Sequence, residues 1–209
     1  MQTFLDNKPL DCEHITFAAG LRAAADEAAR TGRVIIEATL DGSAVADDIL
    51  ERPPEESLGR ELRLTSVEPR SLVRVTLMDA ADALDAARQE QQAAAELIQT
   101  GKVDEALREG GPVLRAMETW QAVREAVEKS AALLRIPLDE ISMPGGASGT
   151  DTLIELIGAL AGRLEEIKRS LTAEDWSGLA DLLAYDLSEQ AERWKTVLVS
   201  LSSSLKAGR

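Results

Sequence analysis

The most constraining feature of this 209-residue chain is a change in hydrophobic periodicity near Ser71. Beyond that residue, apolar side chains recur every three or four positions, which is the spacing of one face of an α-helix. The clearest run alternates steps of four and three: Leu153, Ile157, Leu160, Leu164, Ile167 and Leu171. A helix with such a stripe buries it against another element, so the pattern predicts a helical bundle.

Turn signals divide the helical region into two hairpins. The first is predicted at residues 71–135 and the second at 150–206, with a Pro- and Gly-rich linker at 136–149 between them. Each hairpin exposes one apolar seam, and two hairpins can cover each other's seams in an antiparallel four-helix arrangement. The sequence leaves open whether the hairpins pack on each other or on a second chain.

Local signals place the helix ends within the hairpins. Gly101 separates the first two helices, and Gly110-Gly111-Pro112 is expected to kink or restart the second helix because proline lacks a backbone donor. Thr150 is a candidate N-cap for the third helix. Thr172 and Asp175 have the spacing of a capping box, although Asp replaces the preferred Glu, and we expect them to begin the fourth helix.

One segment fits two structures. Residues 72–77 are rich in β-branched side chains and would suit a last strand of the preceding region. We favour a helix that begins near Ser71, because no turn signal follows until Gly101.

The two hairpins resemble each other in the order of their features. Residues 100–107 and 172–179 each follow a long helix and precede a tryptophan-bearing helix, with Trp120 in the first hairpin and Trp194 in the second. Both tryptophans lie on apolar stripes, which favours a place in the core. A repeated helical hairpin and a chance similarity between two amphipathic hairpins both explain the pattern.

The first 70 residues have a different pattern and predict a small α/β domain. β-Branched or alternating segments indicate strands, and an Ala-rich segment that Thr16 can cap and Gly32 can end indicates a helix. Asp6-Asn7-Lys8 has the composition of a tight hairpin turn. The predicted elements are the strands Gln2–Leu5 and Pro9–Asp11, the helix Phe17–Arg30, and the strands Val34–Leu40 and Glu61–Val67.

This order of strand, strand, helix, strand and strand resembles the β-grasp (ubiquitin-like) fold. The resemblance covers a third of the chain and rests on element order alone, so it implies a fold but no activity and no site residue. The whole chain is expected to be α+β and predominantly α, with a β-grasp-like head at 1–70 followed by a helical region at 71–209.

The charge of the chain argues against several partners. The chain has 23 Lys and Arg residues against 37 Asp and Glu residues, a net charge of −14. Such a surface repels nucleic-acid phosphates and anionic lipid headgroups, so we expect neither a nucleic-acid nor a membrane partner. No apolar run approaches the roughly 20 residues of a membrane-spanning helix, and the N-terminus lacks a secretory pattern, so the expected location is the cytoplasm.

Candidate reactive residues are few. The chain has one cysteine, Cys12, and one histidine, His14, so neither a disulfide nor a Cys/His metal cluster is expected. Neither residue has an identifiable partner for acid–base or nucleophilic catalysis. Asp79, Asp82 and Asp85 recur every three residues, which is more typical of a solvated helix face than of a cation site. We therefore expect no catalytic residue, no metal, no cofactor and no enzymatic activity.

The remaining candidate is Trp176, in the first predicted turn of the fourth helix. Because tryptophan is enriched at binding hot spots, Trp176 is the candidate partner-binding residue. The sequence predicts a non-enzymatic protein–protein interaction module that docks a protein partner, or a second copy of itself, on a helical surface or a sheet edge. In acidity and helix content the chain resembles chaperones of flagellar or secretion systems, and a cytoplasmic adaptor also fits. The alternative is an enzyme or ligand-binding sensor with a pocket between head and bundle.

Overall fold

The fold is α+β and mostly helical, as the sequence predicts. Two compact units are distinguished, Met1–Leu72 and Val73–Arg209, and each contains its own apolar core. The computed structural model describes side chains up to Leu205 and the backbone of the following residues: 1–11, 16–138, 140, 141 and 152–207.

The first unit is built on a five-stranded sheet. The spatial order of its strands is β2-β1-β5-β3-β4, in which β1 and β5 are parallel and the other neighbours are antiparallel. This is the β-grasp-like head that the element order predicts. The strands are β1 (Gln2–Leu5), β2 (Lys8–Leu10), β3 (Val34–Leu40), β4 (Ser43–Ala44) and β5 (Glu61–Val67).

One helix, α1 (Phe17–Arg30), covers a face of this sheet. Phe17 on the helix and Leu62 on β5 are both fully buried, because the apolar stripe of the helix meets alternate residues of the strands. The predicted cap is confirmed: Thr16 Oγ1 accepts a hydrogen bond from the Ala19 N–H at 3.2 Å.

The sequence does not predict two short elements of the head, β4 and the single helical turn α2 (Asp47–Glu51). Asp41-Gly42, predicted only as the end of β3, forms a hairpin turn into β4 with φ values of 49° and 86°. The turn between β1 and β2 likewise contains two residues, Asp6 and Asn7, with φ values of 50° and 64°. Two-residue hairpins favour positive φ at both positions, because their twist then matches that of the strands.

The remaining elements are helical. Among the described residues they comprise four long helices, two short α-helices and a π-helical turn, and the backbone stays helical from α7 through α8. The elements are α3 (Pro69–Gln99), α4 (Val103–Leu107), α5 (Pro112–Leu134), α6 (Leu153–Thr172), α7 (Trp176–Asp181), the π-turn Leu182–Asp186 and α8 (Leu187–Ala207).

The ambiguous segment 72–77 is helical. It lies inside α3, which begins at Pro69, slightly earlier than the predicted start near Ser71. Val73 and Leu77 both point into the core of the helical unit, so helical periodicity decides the structure over β propensity. Proline suits the first turn of a helix because its missing N–H would have no partner there.

The predicted restart of the second helix is confirmed. α4 ends before the two glycines, Gly111 is the N-cap of α5, and Pro112 occupies its first turn. The predicted cap Thr150 lies outside the described residues. The N-cap of α6 is instead Thr152, whose backbone N–H donates to Glu155 Oε2 at 2.8 Å.

The predicted capping box between Thr172 and Asp175 is wrong. Thr172 is the last residue of α6, and its hydroxyl donates to the Lys168 carbonyl at 2.8 Å. Asp175 is itself the N-cap of α7, since its Oδ1 accepts a hydrogen bond from the Gly178 N–H at 3.0 Å. A threonine hydroxyl can bond back to its own helix, so spacing alone misplaced the cap by three residues.

The two hairpins pack on each other and share one apolar core. α3 and α8 run antiparallel, with Lys195 Nζ 2.7 Å from Asp85 Oδ2 and the Ser202 hydroxyl donating to the Arg74 carbonyl at 3.3 Å. The four long helices therefore form the predicted antiparallel arrangement within one chain.

Trp120 and Trp194 meet inside this core. Both side chains are fully buried, which confirms their predicted place, and their ring centroids lie 6.0 Å apart with an interplanar angle of 81°. This edge-to-face geometry is favourable for aromatic pairs. The rings join α5 of the first hairpin to α8 of the second.

Candidate functional site

Trp176, the predicted partner-binding residue, lies in a groove at one end of the helical unit. The side chain is half-buried, with part of its surface packed against the core. The groove has a volume of about 300 Å3, and we call it the Trp176 groove. Its lining residues are Ile98 and Gln99 at the end of α3, and Trp176, Ser177, Ala180 and Asp181 on α7.

A tight turn holds Trp176 in place. Glu174 has a φ of 52°, in the left-handed region, and the Asp175 N–H donates to the Ser170 carbonyl at 2.9 Å. A Cβ at Gly178 would lie 2.4 Å from Asp175 Oδ2, so a side chain there would make the capping carboxylate shift. Because these contacts fix the first turn of α7, Trp176 is presented from a defined backbone position.

The π-turn Leu182–Asp186 follows on the same helix. It presents Tyr185, which is 68% exposed, and ends at Asp186, whose carboxylate lies 3.0 Å from Arg163 Nη2. Tyr185 does not line the Trp176 groove. The sequence carries no signal for this turn, because it depends on the hydrogen-bond pattern of the backbone.

A second concave feature, the apolar cavity, lies at the other end of the helical unit and has a volume of about 270 Å3. It is formed where α3 and α6 begin and α5 and α8 end, about 30 Å along α3 from the Trp176 groove at 1.5 Å per residue. The sequence gives no signal for this cavity, because each of its leucines and valines has the spacing of an ordinary core residue.

The other predicted candidates have ordinary surroundings or lie outside the described residues. Cys12 and His14 fall outside them. Asp79 and Asp82 are exposed, as expected for a solvated face, and Asp85 pairs with Lys195. Among the described side chains, no group of three or more His, Cys, Asp or Glu residues could hold a metal ion.

The displaced pKa values belong to ion pairs and hydrogen-bonded carboxylates rather than to the groove or the cavity. The largest cause in each case is a hydrogen bond to a neighbouring side chain or, for Asp6, to the Ser66 backbone N–H. None of these groups lines the Trp176 groove or the apolar cavity. The pKa is lowered for Asp6, Glu27 and Glu125 and raised for Arg30, Arg115 and Arg163.

Comparison of the chain with protein-family models, curated proteins and solved structures finds no match. In the part of the chain that the structure describes, no helix is both long and apolar enough to cross a membrane.

Proposed function

We propose that this chain is a non-enzymatic protein–protein interaction module that docks its partner in the Trp176 groove. A cytoplasmic adaptor and an assembly or secretion chaperone of the flagellar type are the roles that fit this activity. The observation that carries the proposal is a half-buried tryptophan, fixed by a capped turn, beside Ile98 and Ala180 and within a polar rim. An apolar centre surrounded by polar groups is the usual anatomy of an interaction site.

The helical surface supports docking better than the sheet edges do. One edge of the sheet is β2, with three residues that include Pro9, and the other is β4, with two residues. A peptide that adds a strand needs a row of free backbone donors and acceptors, and proline offers no donor. We therefore assign the docking site to the helical unit.

The charge of the groove indicates the chemistry of the partner segment. Asp181 is the charged residue among the six that line the groove, and the chain as a whole carries a net charge of −14. A partner segment with a Lys or Arg next to an apolar side chain matches the groove, because the cation can pair with Asp181. The apolar side chain would pack against Trp176 and Ile98.

The test compares Trp176→Ala with Tyr185→Ala, a matched aromatic truncation on the same continuous helical stretch. A partner is first captured from native cytosol on the full chain and purified, and its affinity for each variant is then measured by calorimetry. We expect Trp176→Ala to weaken binding at least about thirtyfold, which corresponds to the roughly 2 kcal/mol that marks a hot spot. Tyr185→Ala should bind as the parent does.

Circular dichroism of both variants checks that the helices are intact. A dimer that light scattering detects and Trp176→Ala dissociates would identify the partner as a second copy of the chain. The proposal is contradicted if a captured partner binds Trp176→Ala with the affinity of the parent. Recovery of a tightly bound small molecule with no stoichiometric protein would favour the alternative, an enzyme or ligand-binding sensor.

A further inference from the structure

We infer that the helical unit also carries a binding site for an uncharged, mainly apolar small molecule in the apolar cavity. This site is separate from the Trp176 groove and goes beyond the proposed docking function. Four long helices build most of its wall: Leu77 comes from α3, Val127 from α5, Leu153 from α6 and Leu201 from α8. Because packed helices hold these side chains, the site is largely formed before a ligand arrives.

The size of the cavity sets the size of the ligand. Its volume of about 270 Å3 is larger than the roughly 150 Å3 of an engineered cavity that binds benzene, and close to the lower end of natural ligand pockets. A fused bicyclic aromatic or a medium-length aliphatic chain is the class of molecule that fits. Ile136, which lines the cavity, remains 40% exposed, so an occupant would remove apolar surface from water.

The chemistry of the wall sets the charge of the ligand. None of the twelve residues that line the cavity is ionisable, and two of them, Ser130 and Ser204, have hydroxyl groups. The Ser204 hydroxyl donates to the Leu201 carbonyl at 2.7 Å, which leaves its oxygen free to accept a hydrogen bond. A charged ligand would lose hydration without gaining a counter-ion, whereas a single hydroxyl on the ligand can bond to a serine.

The test is a fluorescence titration of the full chain with N-phenyl-1-naphthylamine, an uncharged apolar probe. We expect saturable binding at one site per chain. Ala131→Leu, which adds bulk to a buried position of the cavity wall, should weaken this binding at least tenfold. Ala93→Leu makes the same change at an exposed position of α3 and should leave the affinity unchanged.

A second variant and a competition experiment test the same inference, so it can still be refuted if Ala131→Leu folds poorly. Ser204→Trp places a large ring at an exposed position on the cavity rim and should also weaken probe binding. Decanol should displace the probe at a concentration at least tenfold below that of decanoate. The inference is overturned by non-saturable binding, by an unchanged affinity in well-folded variants of the cavity, or by equal competition from alcohol and carboxylate.

The same titration separates this inference from the proposed docking function. Trp176→Ala should bind the probe as the parent does, since Trp176 lies at the opposite end of the unit. If Trp176→Ala abolishes probe binding in a folded protein, the probe is reporting on the groove and the cavity assignment is wrong.

Discussion

At the scale of single residues, Asp6 connects three parts of the head. It lies in the turn between β1 and β2, and its carboxylate accepts hydrogen bonds from the Ser66 N–H and the Ser66 hydroxyl, both at 2.7 Å. Arg33, just before β3, lies 3.5 Å from the same carboxylate and donates to the Ser66 hydroxyl at 2.8 Å. These bonds, the Ser66 N–H first, hold the pKa of Asp6 below its ordinary value.

The lowered pKa predicts an acid-dependent contribution to the stability of the head. Because the folded-state pKa lies below the unfolded one, the contribution is complete above about pH 4 and is lost as the pH falls through the folded-state pKa. Asp6→Asn should cost about 1 kcal/mol at neutral pH, less than the roughly 1.5–3 kcal/mol of a buried charge-assisted hydrogen bond, because a third of the side chain is exposed and screened by solvent. Asparagine also tolerates the positive φ at this turn position.

Urea unfolding of the parent and of Asp6→Asn at a series of pH values measures this effect. The difference in free energy should shrink as the pH falls below about 4, because the parent carboxylate then becomes neutral as well. Asp26→Asn, at an exposed position of α1, is the control and should change stability little. A difference between parent and Asp6→Asn that stays constant with pH would contradict the account.

Some single residues have surroundings that the sequence does not predict. Gln91 interrupts the apolar stripe of α3, yet it is fully buried, and its amide atoms have no hydrogen-bond partner among the described residues. Periodicity cannot predict a polar residue on a buried face. The place of Trp176 in a first helical turn was predictable from the neighbouring capping residues, and its role in binding stays a prediction.

At the scale of elements, hydrophobic periodicity and turn residues predict most of the helices and strands. The four long helices and the longer strands follow from their stripes, and the restart at Pro112 follows from the chemistry of proline. β4 has two residues and the π-turn Leu182–Asp186 has five, so neither carries a pattern long enough to detect. The apolar cavity was not predictable, because its wall comes from four helices that only the fold brings together.

Helical glycines with open space around them give a prediction at this scale. Gly158 lies in α6, and a Cβ there would meet no atom within 4 Å. Gly158→Ala should therefore stabilise the helical unit by up to about 1 kcal/mol, the cost of glycine relative to alanine in a helix interior. Gly162→Ala, one helical turn further along, should behave in the same way.

Gly20 in α1 is the contrasting case. A Cβ there would lie 2.6 Å from Thr3 Oγ1 and 3.3 Å from Leu62 Cδ2, both on buried residues of the sheet. The overpacking cost of about 1–3 kcal/mol should outweigh the helix propensity of alanine, so Gly20→Ala should lower the stability of the head. Thermal unfolding followed by circular dichroism checks all three variants, and stabilisation by Gly20→Ala would show that α1 does not pack closely on β1.

At the scale of the whole molecule, the chain combines a β-grasp-like head with a helical unit in which two hairpins share one core. This core is completed within one chain, with Trp120 of the first hairpin against Trp194 of the second. The helical unit therefore has the Trp176 groove and the apolar cavity at its two ends rather than an open apolar seam.

A double-mutant cycle between Trp120→Leu and Trp194→Leu, which removes each aromatic ring and keeps an apolar side chain, tests this claim most directly. Unfolding free energies of the parent, both single variants and the double variant should give a coupling of about 0.5–1.5 kcal/mol, the range for an edge-to-face aromatic pair. The coupling should be the same at low and high protein concentration, because both rings belong to one chain. Additive effects of the two substitutions, or a coupling that appears only as the protein concentration rises, would contradict the account.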